Sequence, residues 1–306
     1  MSSSGGTKAV VAALAANLGI AVTKFIAYLL TGSSSMLAEG VHSVADSGNQ
    51  GLLLLGARRA NRAASEHHQF GYGRARYIYA FIVSIVLFSL GGCFALYEAW
   101  HKFSDPHPIE GRWWWVPLVV LALGIVMEGF SFRTAIREAN HVRGDKSFAR
   151  YVKESRAPEI PVILLEDFGA LIGLVLALFG VSMTLVTHDG RWDAIGSGAI
   201  GVLLVVIAVF LAREMASMLL GESADPQHQR AIEAAIPGGG IASVIHLRTL
   251  HLGPDELLVA AKVEVERADD AAHVSRAIDA AEVRIREAVP LRTQIYLEPD
   301  LRRSGP

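Results

Sequence analysis

Glu39-Gly-Val-His42-Ser-Val-Ala-Asp46-Ser-Gly-Asn49-Gln50 lies inside an otherwise apolar run from Met36 to Ala57. His42 and Asp46 are four residues apart, so on a helix they share one face, one turn above the other. A neutral imidazole and a carboxylate at that spacing can grip one divalent metal ion. Ionisable groups are costly in a bilayer and mark a pathway or a site. The stretch predicts a membrane-spanning helix that carries part of a metal site.

The surrounding chain supports a membrane reading. Of 306 residues, 52% are hydrophobic and 19% charged, an apolar share at the upper end for a soluble protein. The apolar residues concentrate before about residue 220, in runs of the ~20 residues that a bilayer requires. Six spans are predicted, at about 9–30, 36–57, 76–100, 113–138, 161–187 and 193–217. The short polar start, Met1 to Thr7, has no basic region ahead of a cleavable apolar one, so no signal peptide is expected. Formal net charge is -2, which shows no nucleic-acid footprint. The single cysteine, Cys93, excludes a disulfide framework and a cysteine zinc site.

The connections set orientation. The second carries Arg58, Arg59, Arg62, Arg74 and Arg76; the fourth carries Arg137, Arg143, Lys146, Arg150, Lys153 and Arg156. Basic loops stay on the cytoplasmic side, so both termini are expected there. Trp113-Trp114-Trp115 reads as an interfacial belt on the other side. From about Gly221 the chain becomes charged. Pro226 to Ile236 and Ala271 to Ala288 have helical spacing, while Ile241 to Leu252, Leu257 to Glu266 and Thr293 to Leu297 read as strands. The order α-β-β-α-β predicts an open-faced sandwich, one antiparallel sheet with helices on one side. Domains are expected at 1–220, in the membrane, and 221–306, in the cytoplasm.

One dication wants about four ligands. The fifth span offers Glu166 and Asp167 inside Val162-Ile-Leu-Leu-Glu166-Asp167-Phe-Gly-Ala. At about 100° per residue the two acids diverge, and Asp167 is the one expected to point at His42 and Asp46. Glu166 adds a ligand, binds a second partner or relays protons. The bland alternative is a helix end held by cations such as Arg156. Lys24 is a rival counter-ion for the buried carboxylates. Asn17, Asn49 and Gln50 either orient ligands or pack spans together. Glu128, in the fourth span, reads as an interhelical hydrogen-bonding group or one near the interface. Imidazole, with an ordinary pKa of about 6.5, and carboxylates both release protons when they take metal. Such a site couples metal flux to a proton gradient.

Six spans, an HxxxD pair in the second (His42, Asp46), an acid in the fifth and an α-β-β-α-β tail resemble the cation diffusion facilitator family. Further stretches resemble its zinc transporter nine branch: His42-Ser through Asn49-Gln50-Gly51, the Phe70-Gly-Tyr-Gly loop, Pro108-Ile-Glu110, and Tyr151-Val through Pro158 into Glu166-Asp167. The resemblance implies a six-helix transmembrane bundle followed by a cytoplasmic α+β domain of ferredoxin-like, metallochaperone-like kind. It implies a homodimeric metal/proton antiporter that removes Zn²⁺ or a similar dication from the cytoplasm by alternating access. The dication is substrate, lipid is the surrounding partner, and no prosthetic group is implied.

Departures from the family pattern bear on metal choice. Ile163 stands where a second ligand of the fifth span is usual, and a donor set richer in oxygen loosens discrimination of zinc against Mn²⁺, Fe²⁺ or Co²⁺. In the loop after the second span, Glu66, His67 and His68 are candidates for a secondary metal site, weak because Tyr72 replaces a usual histidine. Lys262, Tyr296 and Glu298 occupy the tail positions that carry metal ligands elsewhere in the family, so the tail is expected to serve dimerisation. An enzyme is the first rival reading, but GxSxG and HExxH are absent from the sequence. A non-transporting scaffold or regulator that kept the fold is the second. The Ala- and Arg-rich composition leans towards a bacterial inner membrane.

Overall fold

A computed structural model describes residues 18–107, 109, 112–266 and 270–301. Asn17 and the expected start of the first span lie outside the described residues. Each predicted apolar run yields a helix: α1 Leu18–Thr31, α2 Ser34–Ala60, α3 Ala75–Ser104, α4 Val116–Val142, α6 Glu159–Thr187 and α7 Arg191–Leu220. A short helix, α5 Phe148–Glu154, sits in the basic connection before α6, capped by Ser147. Among the described residues, α3, α4, α6 and α7 are the helices long and apolar enough to cross a membrane. At 27 residues α2 is comparably long, but Glu39, His42 and Asp46 lower its hydropathy. The chain is an integral membrane protein.

By its contacts the chain divides into two compact units, the first running to Gly56 and resuming over Ile78–Met215, the second comprising Ala57–Tyr77 and the segment from Ala216. The first unit is a helical bundle around Leu87, Leu121, Val162, Leu174, Leu204 and Leu211. Within α3 the residues Leu87–Cys93 form a π-helical segment. There a Cβ at Gly92 would stand 2.6 Å from Val205 Cγ2. Glycine is thus what lets α3 close on α7.

The start of α2 is clasped from α7. The fully buried Asp193 carboxylate accepts from Ser34 N at 2.7 Å, Ser33 Oγ at 2.9 Å, Ser34 Oγ at 3.1 Å and Ser35 N at 3.3 Å. A carboxylate there satisfies helix N–H groups that have no partner within the helix and complements the helix dipole.

The second unit contains α8 Pro226–Ala235, β1 Ile241–Gly253, β2 Glu256–Val265, α9 Ala271–Ala288 and β3 Arg292–Asp300. The expected element order is present, but the sheet is mixed rather than antiparallel. β1 and β2 pair antiparallel through a tight turn; β2 and β3 pair parallel. The connection through α9 carries the chain back to the end where β2 began, which is how a helical crossover makes a parallel pair. Alternate residues Leu257, Val259, Ala261 and Val263 of β2 are buried, in one cluster with Ile232, Ala277, Ala281 and Ile285. The arginine-rich loop after α2 belongs to this unit: a Cβ at Gly73 would stand 2.6 Å from Leu252 O, and Arg76 meets Asp255 at 3.4 Å.

Candidate metal centre

Helical spacing puts His42 and Asp46 on one face of α2, with His42 Nε2 3.4 Å from Asp46 Oδ2. His42 is almost wholly buried. Neither of its ring nitrogens has a hydrogen-bond partner, and the same holds for Asp46 Oδ1. Buried polar atoms are seldom left so. In the neutral imidazole one ring nitrogen keeps a lone pair, and with Asp46 Oδ1 it gives two acceptors that a cation can use.

The acids of α6 reach the same region by two routes. Asn49 Nδ2, one turn beyond Asp46 on α2, donates to Glu166 Oε1 at 2.7 Å. Ser131 Oγ on α4 donates to Asp167 Oδ2 at 2.8 Å. The two carboxylates diverge as adjacent helical residues must, one towards α2 and one towards α4. Both nevertheless border a single cavity, because it lies between those helices. Asp46, Gln50, Glu128 and Ser131 complete its polar wall, and its volume is about 20 Å³, room for about one water-sized occupant. Asn49 thus orients a carboxylate, and Gln50 lines the cavity. Asn49→Ala is expected to raise the apparent KM for metal about tenfold, the range for losing a group that orients a ligand, with Vmax little changed, as measured by flux against metal concentration.

Glu128 is the residue that sequence reasoning undervalued. It shares a face of α4 with Ser131, three residues on. That spacing of two polar residues in an apolar helix was the available signal. A second cavity, of about 210 Å³, lies between α4 and α6 and is lined by Thr134, Glu138 and Ile160 together with Ser131, Ile163 and Asp167. The last three also border the inner cavity. Asp167 therefore stands between the inner cavity and a vestibule at the end of the bundle where α6 begins.

The rival counter-ion is otherwise engaged. Lys24 Nζ lies 2.9 Å from Glu39 Oε2 and donates to Ser43 Oγ at 2.8 Å. Lys24 is 1% and Glu39 0% exposed. Its direct ion pair is with Glu39, not with Asp46. A Cβ at Gly173 of α6 would stand 2.8 Å from Glu39 Oε1, so glycine makes room for this pair. Lys24→Met is expected to destabilise by about 3–5 kcal/mol, because it strands a buried carboxylate; adding Glu39→Gln should restore most of that. Unfolding of the purified single and double variants in detergent checks this.

Elsewhere the candidates do not converge. Glu66, His67 and His68 are exposed, and the His68 ring stacks on Tyr72 with centroids 4.5 Å apart. In the second unit Lys262 Nζ sits 3.2 Å from Glu298 Oε1 and 2.9 Å from Asp300 Oδ2, and its pKa is raised by those two carboxylates. Among the described residues no three His, Cys, Asp or Glu side chains close on one point in coordinating geometry. At the α2–α6 site Asp46, Glu166 and Asp167 border a cavity without gripping a common centre, and His42 is not part of its lining.

Comparison with known proteins then decides the family. The model of the cation efflux transmembrane domain matches residues 10–220. The chain belongs to the cation efflux family. As a member, it is similar to the mouse (Mus musculus) proton-coupled zinc antiporter SLC30A9, mitochondrial, with 32% identity over 246 residues, 79% of this chain and 43% of that protein. The chain therefore spans less than half the length of that relative. Zinc transporter ZitB of Pectobacterium atrosepticum is 27% identical over 217 residues, 71% of this chain and 62% of its own. Manganese efflux system protein MneP of Bacillus subtilis is 24% identical over 235 residues, 75% and 73% of the two chains. The resemblance to the zinc transporter nine branch is borne out.

Proposed function

We propose that the protein is a Zn²⁺/H⁺ antiporter that exports metal from the cytoplasm by alternating access, with His42, Asp46, Asp167 and Glu166 as the substrate's ligands. One observation carries this reading. Asp46, Glu128, Glu166 and Asp167 border one small cavity, and among the described residues none of them is ion-paired with lysine or arginine. Carboxylates so crowded within an apolar bundle need their charge neutralised. Protons and a dication are the two ways available, and they compete for the same oxygens. Exchange of one for the other is antiport.

The vestibule between α4 and α6 gives that cavity a side of access. It lies at the end carrying the basic connection, which the positive-inside rule assigns to the cytoplasm. Six spans, both termini cytoplasmic, a transport domain over 1–220 and a dimerising α+β domain over 221–306 complete the proposal, in a bacterial inner membrane. At the opposite end of the bundle α2 and α7 are joined through Asp193.

The decisive test is metal flux into proteoliposomes carrying an internal indicator. Zn²⁺ uptake should follow an imposed pH gradient and collapse with a protonophore; uptake indifferent to the gradient counts against antiport. A second reading has specific support. Oxygen donors outnumber the single imidazole, which suits harder ions, and a relative is named for manganese efflux. Mn²⁺ outcompeting Zn²⁺ in the same vesicles would favour it.

A further inference from the structure

Behind the metal centre, the same turns of α4 and α6 present an apolar groove. Phe132 follows Ser131, and Phe168 follows Asp167, so the residues flanking the polar ones line its wall. Their rings lie 6.0 Å apart. Leu165 of α6 and Phe210 of α7 extend the wall, and α5 closes one end with Phe148 and Lys153. The groove has a volume of about 780 Å³. From the start of α6 at Glu159 to Phe168 is nine residues, a rise of about 14 Å, close to half of the ~30 Å hydrocarbon core. Phe168, where the α6 wall of the groove ends, thus lies about one leaflet from the start of α6.

Its rim is cationic. Between Arg143 and Arg156 the chain carries five Lys or Arg against two acids. One of those acids, Glu154, is already shared by Lys146 at 3.0 Å and Arg150 at 2.8 Å. Lys153 is exposed and, among the described residues, pairs with no carboxylate. Arg143 bonds only to Asn140 Oδ1 and Lys146 O, and its guanidinium lies 4.6 Å over the Phe148 ring at the mouth of the groove. An apolar slot whose α6 wall reaches to about mid-bilayer, with two cations without acidic partners at its mouth, has the chemistry of one ligand class.

We propose that this groove holds an acyl chain of an anionic phospholipid, with the headgroup phosphate on Lys153 and Arg143. The occupant lies against the α4 and α6 turns whose other faces carry Ser131 and Asp167. The site does not depend on which cation is transported.

Native mass spectrometry of the full-length chain tests it, after equal loading with phosphatidylglycerol and phosphatidylcholine of identical acyl chains. Wild type should retain one phosphatidylglycerol per chain in at least about tenfold preference. Ala149→Trp, which fills the groove, should lose it. Lys153→Glu, at an exposed position that leaves the fold intact, should bring the ratio of the two lipids close to one. Equal retention of both lipids by wild type overturns the proposal, as does an unchanged preference in Lys153→Glu. If Ala149→Trp instead turns dimers into monomers with the lipid count unchanged, a second copy covers the groove and the proposal falls.

Discussion

Asp46→Ala is expected to bring proton-driven metal flux down at least about a hundredfold, to the level of empty vesicles. Substitution of residues that merely orient a ligand costs 10–100-fold in many metal sites, and Asp46 is a ligand in the reading above. Its Oδ1 has no partner within the protein, and the cavity wall it shares with Glu166 and Asp167 loses a charge and a proton-carrying group together. Asp46→Asn, which keeps the shape, should be as inactive. Both variants should retain the wild-type unfolding temperature, since no hydrogen bond is removed. Flux persisting near wild-type rate in either one would sink the site as drawn.

Asp193→Ala should be among the most destabilising single changes in the bundle, comparable to Lys24→Met. It strips an acceptor from the Ser34 and Ser35 N–H groups and from two serine hydroxyls at a fully buried position. Orphaned buried donors cost about 1–3 kcal/mol each, and loss of a helix cap adds about 1 kcal/mol. A net loss of about 3–5 kcal/mol corresponds to a fall in Tm on the order of 10 °C for a domain of this size. Asp193→Asn, which keeps one acceptor oxygen, should fall between. Thermal unfolding in detergent reads both, and a Tm within about 2 °C of wild type would mean that the clasp is not holding α2 to α7.

The helices were legible because an apolar run of bilayer length needs no partner to be recognised. The His42–Asp46 pair was legible because a spacing of four is a property of one helix. Asn49 was less so. Its type and position allowed either ligand orientation or packing, and only its contact with Glu166 separates them. Glu128 looked like an interhelical hydrogen-bonding group: its spacing from Ser131 marked a polar face of α4 but not which helix that face meets. Lys24 was a rival counter-ion for the site until Glu39 was seen beside it. In the tail, the period-2 burial of β2 and the face of α9 followed from sequence pattern, while the direction of β3 did not. An amphipathic strand has the same alternation in either direction.

By itself the sequence determined which apolar runs are helices, the family to which the chain belongs, and that His42 and Asp46 share one face of α2. Each of these rests on spacing along one segment. Tertiary structure alone decided that Glu166 turns to α2 and Asp167 to α4, that Glu128 borders the same cavity, and that Lys24 serves Glu39. Those outcomes depend on how each helix is rotated about its own axis against its neighbours. Local periodicity leaves that rotation open wherever a helix is apolar on most of its surface.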